Sequence, residues 1–165
     1  MSEPVVLVTG ASGGLGPYVV RAFLDAGAAV AGSARAIGDS GYPAARFAAV
    51  PADLLVAGEA ERLVSAVVAR FGAIDALIHV AGGFAGGSPV HETDDGTWQS
   101  MMALNATTAF RMFRAVLPHM RERRGGCIVA IASRAAAEPQ PNLAALCGVQ
   151  GGAAVAGPHG GHGKP

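Results

Sequence analysis

The segment Thr9-Gly10-Ala11-Ser12-Gly13-Gly14-Leu15-Gly16 constrains this chain more than any other. Before it runs Val5-Val6-Leu7-Val8, a continuous apolar and mostly β-branched stretch that reads as a strand buried on both faces. After it, from Leu15 to Ala26, apolar residues recur at helical spacing (Leu15, Val19, Val20, Phe23, Leu24), and Gly27 supplies a C-cap. A glycine-rich turn between a buried strand and a helix lets backbone approach a pyrophosphate. The free N–H groups and partial positive charge of the helix N-terminus then face the anion. The turn therefore predicts a dinucleotide-binding βαβ unit. Two spacings overlap in it, Gly10/Gly14/Gly16 and Gly10/Gly13/Gly16.

The same alternation continues downstream. Ala28 to Ser33 and Phe47 to Val50 read as strands, the latter leading into Pro51-Ala52-Asp53-Leu54. Ala60 to Phe71 reads as an amphipathic helix with Leu63, Val64, Val67, Val68 and Phe71 inward, capped by Gly72. Ala76 to Val80 is a fourth strand, broken by Ala81-Gly82-Gly83. Thr97 to Arg123 reads as one long helix with Phe110, Phe113, Val116, Leu117 and Met120 inward, its basic end (Arg121, Arg123, Arg124) suiting a helix C-terminus. Cys127 to Ile131 is a fifth strand. Strands alternating with helices imply parallel pairing through right-handed crossovers. The expected architecture is a Rossmann-like doubly wound parallel sheet of order 3-2-1-4-5, incomplete at the C-terminus, with ligands at the carboxyl ends of the strands. Residues 1–145 form the dinucleotide-binding domain in this reading, and 146–165, rich in Gly, Ala and His, form a disordered tail.

At 165 residues and 51% hydrophobic, the chain can bury a core. Twelve Lys and Arg balance twelve Asp and Glu, so charge points to neither nucleic acid nor an acidic membrane. No apolar run is long enough to span a bilayer, and two cysteines make no disulfide framework, which fits a reducing cytoplasm. Cys127 reads as a small buried hydrophobe, His79 as a core or strand histidine and Trp98 as packing. Asn105 sits in a helix against its propensity, which implies a polar use. His159 and His162 in the tail suit low complexity better than a metal site.

Taken with these motifs, the sequence resembles the short-chain dehydrogenases/reductases. Thr9-Gly10-x-x-x-Gly14-x-Gly16 is similar to that family's cofactor signature, with Ser12, Gly13 and Leu15 in the same turn. Asp53-Leu54 matches the pair beside the adenine ring, where the plain alternative is an ordinary turn residue. Ala81-Gly82 matches the end of the family's Asn-Asn-Ala-Gly motif, here preceded by His79 and Val80. Asn105 matches the helix asparagine that orders a proton-relay water, and Ser133 the serine that binds the substrate oxygen. The resemblance implies hydride transfer between nicotinamide and a small-molecule carbonyl or secondary alcohol. It also implies a homo-oligomer through the helix around Phe110. An acidic residue ending strand two would select NAD; Ala34 stands there and Arg35 follows, which favours NADP(H) over NAD(H).

The family's proton-transfer pair, Tyr-x-x-x-Lys, falls on Leu146 and Gln150, neither of which exchanges a proton near neutral pH. Tyr18 and Tyr42 lie in the wrong segments. Leu146 to Ala153 can be encoded as CTA TGC GGT GTC CAA GGC GGC GC, and the frame one nucleotide later reads Tyr-Ala-Val-Ser-Lys-Ala-Ala, the family motif. A frame displaced near position 145 is therefore expected, leaving the fifth strand as an exposed edge and the Phe110 helix with an uncovered apolar patch. The alternative function is a catalytically inactive nucleotide-binding fragment.

Overall fold

The computed structural model describes residues 3–39, 41–134 and Leu146. Strand β1 (Val5–Thr9) and strand β2 (Ala29–Ser33) are buried along their whole length, as their unbroken apolar character requires. Between them runs helix α1 (Gly16–Asp25), with Pro17 in its first turn, where the missing N–H costs nothing. Strand β3 (Phe47–Ala49), helix α2 (Glu59–Phe71) and strand β4 (Ala76–His79) follow. Gly72 closes α2 in the left-handed region (φ +82°), donating its N–H to the Val68 carbonyl at 2.7 Å. Helix α3 (Asp95–Met101) is capped by the Asp94 carboxylate, which accepts from Thr97 N. A π-helical turn (Met102–Thr107) joins it to helix α4 (Thr108–Glu122), and strand β5 (Cys127–Ala130) ends the regular structure among the described residues.

All four strand pairings are parallel and the order is β3-β2-β1-β4-β5, the Rossmann-like arrangement expected from the alternation of elements. Alternate residues of each strand feed opposite faces. Val5, Leu7, Ala29, Ala31 and Leu77 pack with Leu63 and Val67 of α2 and with Met112, Val116 and Met120 of α4. Val6, Val8, Val30, Phe47 and Ile78 pack with Val20 and Leu24 of α1. Each fully buried Leu or Val side chain contributes roughly 1.5–3 kcal/mol relative to exposure.

Several expectations need correction. The long helix is not one α-helix from Thr97: it begins at Asp95 and passes through the π turn. Its buried face carries Thr108, Ala109, Met112, Val116 and Met120, while Phe110 (60% exposed) and Leu117 are exposed. The five-residue hydrogen-bond spacing of a π turn changes the helical phase, and apolar residues lie on more than one face. Leu15 is exposed and forms the N-cap of α1 rather than part of its apolar face. Trp98 is largely exposed. Cys127 is an exposed free thiol, because β5 is the outermost described strand. Of the tail, Leu146 alone is described; it is helical and buried. The remaining tail, with Gln150, His159 and His162, lies outside the described residues.

Candidate cofactor and active site

Because all strands are parallel, their carboxyl ends share one edge of the sheet. Thr9 is the registration point: it pairs with Ser33 of β2 and with His79 of β4. Gly10, Arg35, Ala81 and Ser133 follow these strand ends, so the residues singled out in the sequence from β1, β2, β4 and β5 converge there.

The glycine turn has two kinds of glycine. Gly10 has φ +68°, and a Cβ on it would stand 2.7 Å from the Ala81 amide nitrogen. A Cβ on Gly16 would run into the Gly10 carbonyl and Ala11. The chain's own packing thus demands both. Gly13, whose N–H donates to the Gly10 carbonyl at 3.0 Å, would bring a Cβ to 3.3 Å from that same oxygen. Gly14 is different: its φ is ordinary and a Cβ there would meet nothing within 4 Å. Among the described residues nothing requires a glycine at that position, which leaves the outer side of the turn open. Ala11 N–H donates to the Ser33 carbonyl and ties the turn to β2. The amides of Ser12, Gly14 and Leu15 donate to no described residue, and α1 has no side-chain cap. The turn therefore offers unpaired N–H groups and glycine room together, which fits the pyrophosphate of a dinucleotide.

The wall beside the turn is built by Thr9, His79, Ala81, Gly82 and Asn105. Ala81 N–H donates to Thr9 Oγ1 at 3.3 Å, and Thr9 Oγ1 lies 2.9 Å from His79 Nδ1. With one proton and two lone pairs, the Thr9 hydroxyl accepts from Ala81 and serves the Nδ1 contact in either imidazole tautomer. Burial holds the His79 pKa down to about 4, so the ring is neutral at pH 7. Its Nε2 and the Ser33 hydroxyl are buried without a partner among the described residues, and they sit on the two strand positions that flank Thr9. Phe113 meets the imidazole edge-on at 6.0 Å.

Asn105 lies in the π turn and is buried. Its Oδ1 accepts from Gly83 N–H at 3.1 Å, and its Nδ2 donates to the carbonyls of Gly83 and Met101, both at 3.1 Å. A Cβ on Gly82 would stand 2.8 Å from Asn105 Oδ1. Past the end of β3, Asp53 Oδ1 accepts from Leu55 N–H at 3.0 Å and the Asp53 carbonyl accepts from Val56 N–H, forming a turn with Leu54 buried. Ala52 N–H donates to the Ala34 carbonyl, which brings this turn beside Arg35. Arg35 is exposed and makes no ion pair among the described residues. Ser133 is half-buried, three residues beyond the end of β5, and Ile131 N–H donates to the His79 carbonyl to hold that segment at the edge. The Thr9–His79 pair and the Gly83 anchor escaped the sequence reading, because both are contacts between segments far apart in the chain.

Among the described residues no group of three His, Cys, Asp or Glu could hold a metal ion, and no helix is long and apolar enough to cross a membrane.

Comparison with known proteins agrees with this geometry. A short chain dehydrogenase family model matches residues 4–152. The 2,3-dihydro-2,3-dihydroxybenzoate dehydrogenase of Escherichia coli (strain K12) is 34% identical over 140 residues, covering 85% of this chain and 55% of that protein. The L-fucose dehydrogenase of Rattus norvegicus is 32% identical over 133 residues, covering 77% of this chain and 48% of that one. The chain thus spans about half the length of these relatives. Among solved structures, the NADH-dependent reductase A1-R′ complexed with NAD superposes with TM-score 0.82 at 27% identity, covering 92% of this chain and 69% of that one. A short-chain dehydrogenase from Streptomyces avermitilis superposes with TM-score 0.83 at 30% identity, covering 91% and 56%. A Rossmann-like sheet, a glycine turn with room to spare at Gly14 and a family match along most of its length place this chain in the short-chain dehydrogenase family.

Proposed function

We propose that this chain binds a nicotinamide dinucleotide at the carboxyl edge of its sheet, NADP(H) in preference to NAD(H), and that the chemistry of its site is hydride transfer between nicotinamide and a small carbonyl or secondary alcohol. The observation that carries the binding is the glycine turn, where no described residue fills the space at Gly14 or accepts from the Ser12, Gly14 and Leu15 amides. Thr9, Gly10, Ser12, Gly13, Gly14, Leu15 and Gly16 would hold the pyrophosphate, Asp53 and Leu54 the adenine side, and Ala81 and Gly82 the opposite wall. Arg35 supports NADP(H), because an exposed guanidinium without an ion pair binds a 2′-phosphate where a carboxylate would repel it. The bound cofactor would supply or take the hydride. Ser133 would donate to the substrate oxygen. Asn105 would order a relay water, its carboxamide being held in place by Gly83 and Met101. The balanced charge and the exposed free Cys127 suit a reducing cytoplasm, and the exposed Phe110 and Leu117 of α4 suit association with a second copy.

One observation favours a second reading, a nucleotide-binding chain without turnover. Leu146, at the position of the family's tyrosine, is apolar and buried. With Gln150 at the lysine position, neither member of the family's proton-transfer pair is present at its place. A reading frame displaced near position 145 accounts for both residues at once. Coding DNA whose shifted frame lacks Tyr and Lys codons there rules that out. The two readings separate in one experiment: titration with NADPH and NADH followed by fluorescence, then turnover with a panel of ketones. Binding with turnover selects the active enzyme, binding alone selects the second reading, and no binding overturns both.

A further inference from the structure

The Leu54–Leu55 peptide is gripped at both ends. Its N–H, on Leu55, donates to Asp53 Oδ1 at 3.0 Å. Its carbonyl, on Leu54, accepts from Arg111 Nη1 at 2.9 Å, and the same nitrogen donates to the next carbonyl, Leu55 O, at 2.6 Å. Two consecutive carbonyl oxygens converge on one nitrogen, and the Arg111 charge offsets their mutual repulsion. Arg111 stands near the start of α4, six positions beyond Asn105 and more than fifty from the turn it holds. Its stem is half-buried, and α2 lies alongside, where Glu61 pairs with Arg114 at 3.0 Å. The other end of the turn is tied to β2 by Ala52 N–H and the Ala34 carbonyl, beside Arg35. Asp53 Oδ2 has no hydrogen bond to any described residue.

We propose that Arg111 is a positioning residue for the purine half of the dinucleotide: it fixes the Leu54–Leu55 peptide and, through that peptide's N–H, the Asp53 carboxylate. The proposal rests on the dinucleotide-binding reading above and adds to it a residue that touches no ligand. Removing the guanidinium frees the peptide to rotate, and the Asp53 carboxylate loses the N–H that holds it. The adenosine side of the ligand then meets a disordered wall, while the glycine turn and the Asn105 wall keep their own hydrogen bonds. Lysine, a compact cation on a flexible stem, can neutralise the two carbonyls but holds them less rigidly.

The test uses the full chain with Arg111→Met, Arg111→Lys, Asp53→Ala and the Arg111→Met/Asp53→Ala double variant. NADPH and ADP-ribose, which keeps the adenosine and pyrophosphate and lacks the nicotinamide, are titrated against each. Arg111→Met weakens both ligands by about five- to tenfold. Arg111→Lys recovers most of that loss. The double variant binds no more weakly than the poorer single variant, because both substitutions break one chain of contacts. If Arg111→Met does not fold, Arg111→Lys still reads the effect: its ADP-ribose affinity falls measurably, and an added Arg111→Lys/Asp53→Ala double variant binds as Asp53→Ala does. Full ADP-ribose affinity in Arg111→Met, or in Arg111→Lys when that variant alone folds, overturns the proposal, as do additive losses in the double variant. A wild-type chain that binds neither ligand overturns the dinucleotide reading itself, and this proposal with it.

Discussion

The Asn105 carboxamide and the Gly83 peptide face each other as a closed pair, Oδ1 accepting from Gly83 N–H and Nδ2 donating to Gly83 C=O, each at 3.1 Å. This pair fastens the π turn of the long helix to the loop that leaves β4, and Gly82 is packed so closely beneath it that no side chain fits. Asn105→Ala leaves the half-buried Gly83 N–H and C=O without their side-chain partners. The expected cost is roughly 2–3 kcal/mol. Urea unfolding checks it: the midpoint falls while the slope stays constant.

Gly10 and Gly14 should respond oppositely to the same substitution. Gly10→Ala forces a left-handed backbone and a Cβ against Ala81, and destabilises the fold by about 2–4 kcal/mol. Gly14→Ala meets nothing inside the chain, so its melting temperature stays at or slightly above that of the wild type. NADPH affinity of Gly14→Ala nevertheless falls, by about tenfold or more, because the methyl occupies ligand space. Thermal melts and NADPH titration of the two variants distinguish the structural glycine from the ligand glycine.

Arg35→Asp reverses the cofactor preference. The carboxylate repels a 2′-phosphate and accepts hydrogen bonds from ribose hydroxyls, so the NADPH/NADH affinity ratio falls by about tenfold or more. The paired dissociation constants check it, and an unchanged ratio removes Arg35 from the site.

His79 makes stability depend on pH. Its pKa is about 4 in the folded chain against an ordinary 6.5, the cause being burial, so the unfolded chain binds the proton more readily. Its contribution is complete above the unfolded value and is lost as pH falls from about 6.5 to about 4, on the order of 3 kcal/mol in all. His79→Phe removes that dependence. Urea midpoints at about pH 7, 5.5 and 4 for both proteins separate His79 from the carboxylates, which titrate in each.

Local pattern made the sheet legible. Val5–Val8 could only be an interior strand, and the alternation of apolar runs led directly to the observed strand order. The helix carrying Asn105 was harder, because Phe110 and Leu117 are as apolar as Met112 and Val116, and a π turn leaves no composition signal of its own. Cys127 was misjudged for a related reason: a strand sequence does not say whether its strand lies inside or at the margin of the sheet. At the site, glycine spacing marked the turn, but only three-dimensional packing separated Gly14 from Gly10 and Gly16. The grip of Arg111 on the Leu54–Leu55 peptide spans more than fifty residues and has no local signature.

The most direct test of the account is isothermal titration of the 165-residue chain with NADPH. A dinucleotide site of this kind gives a saturating heat that ends at about one equivalent per chain, with weaker binding of NADH. An absence of saturable heat with either nucleotide contradicts it.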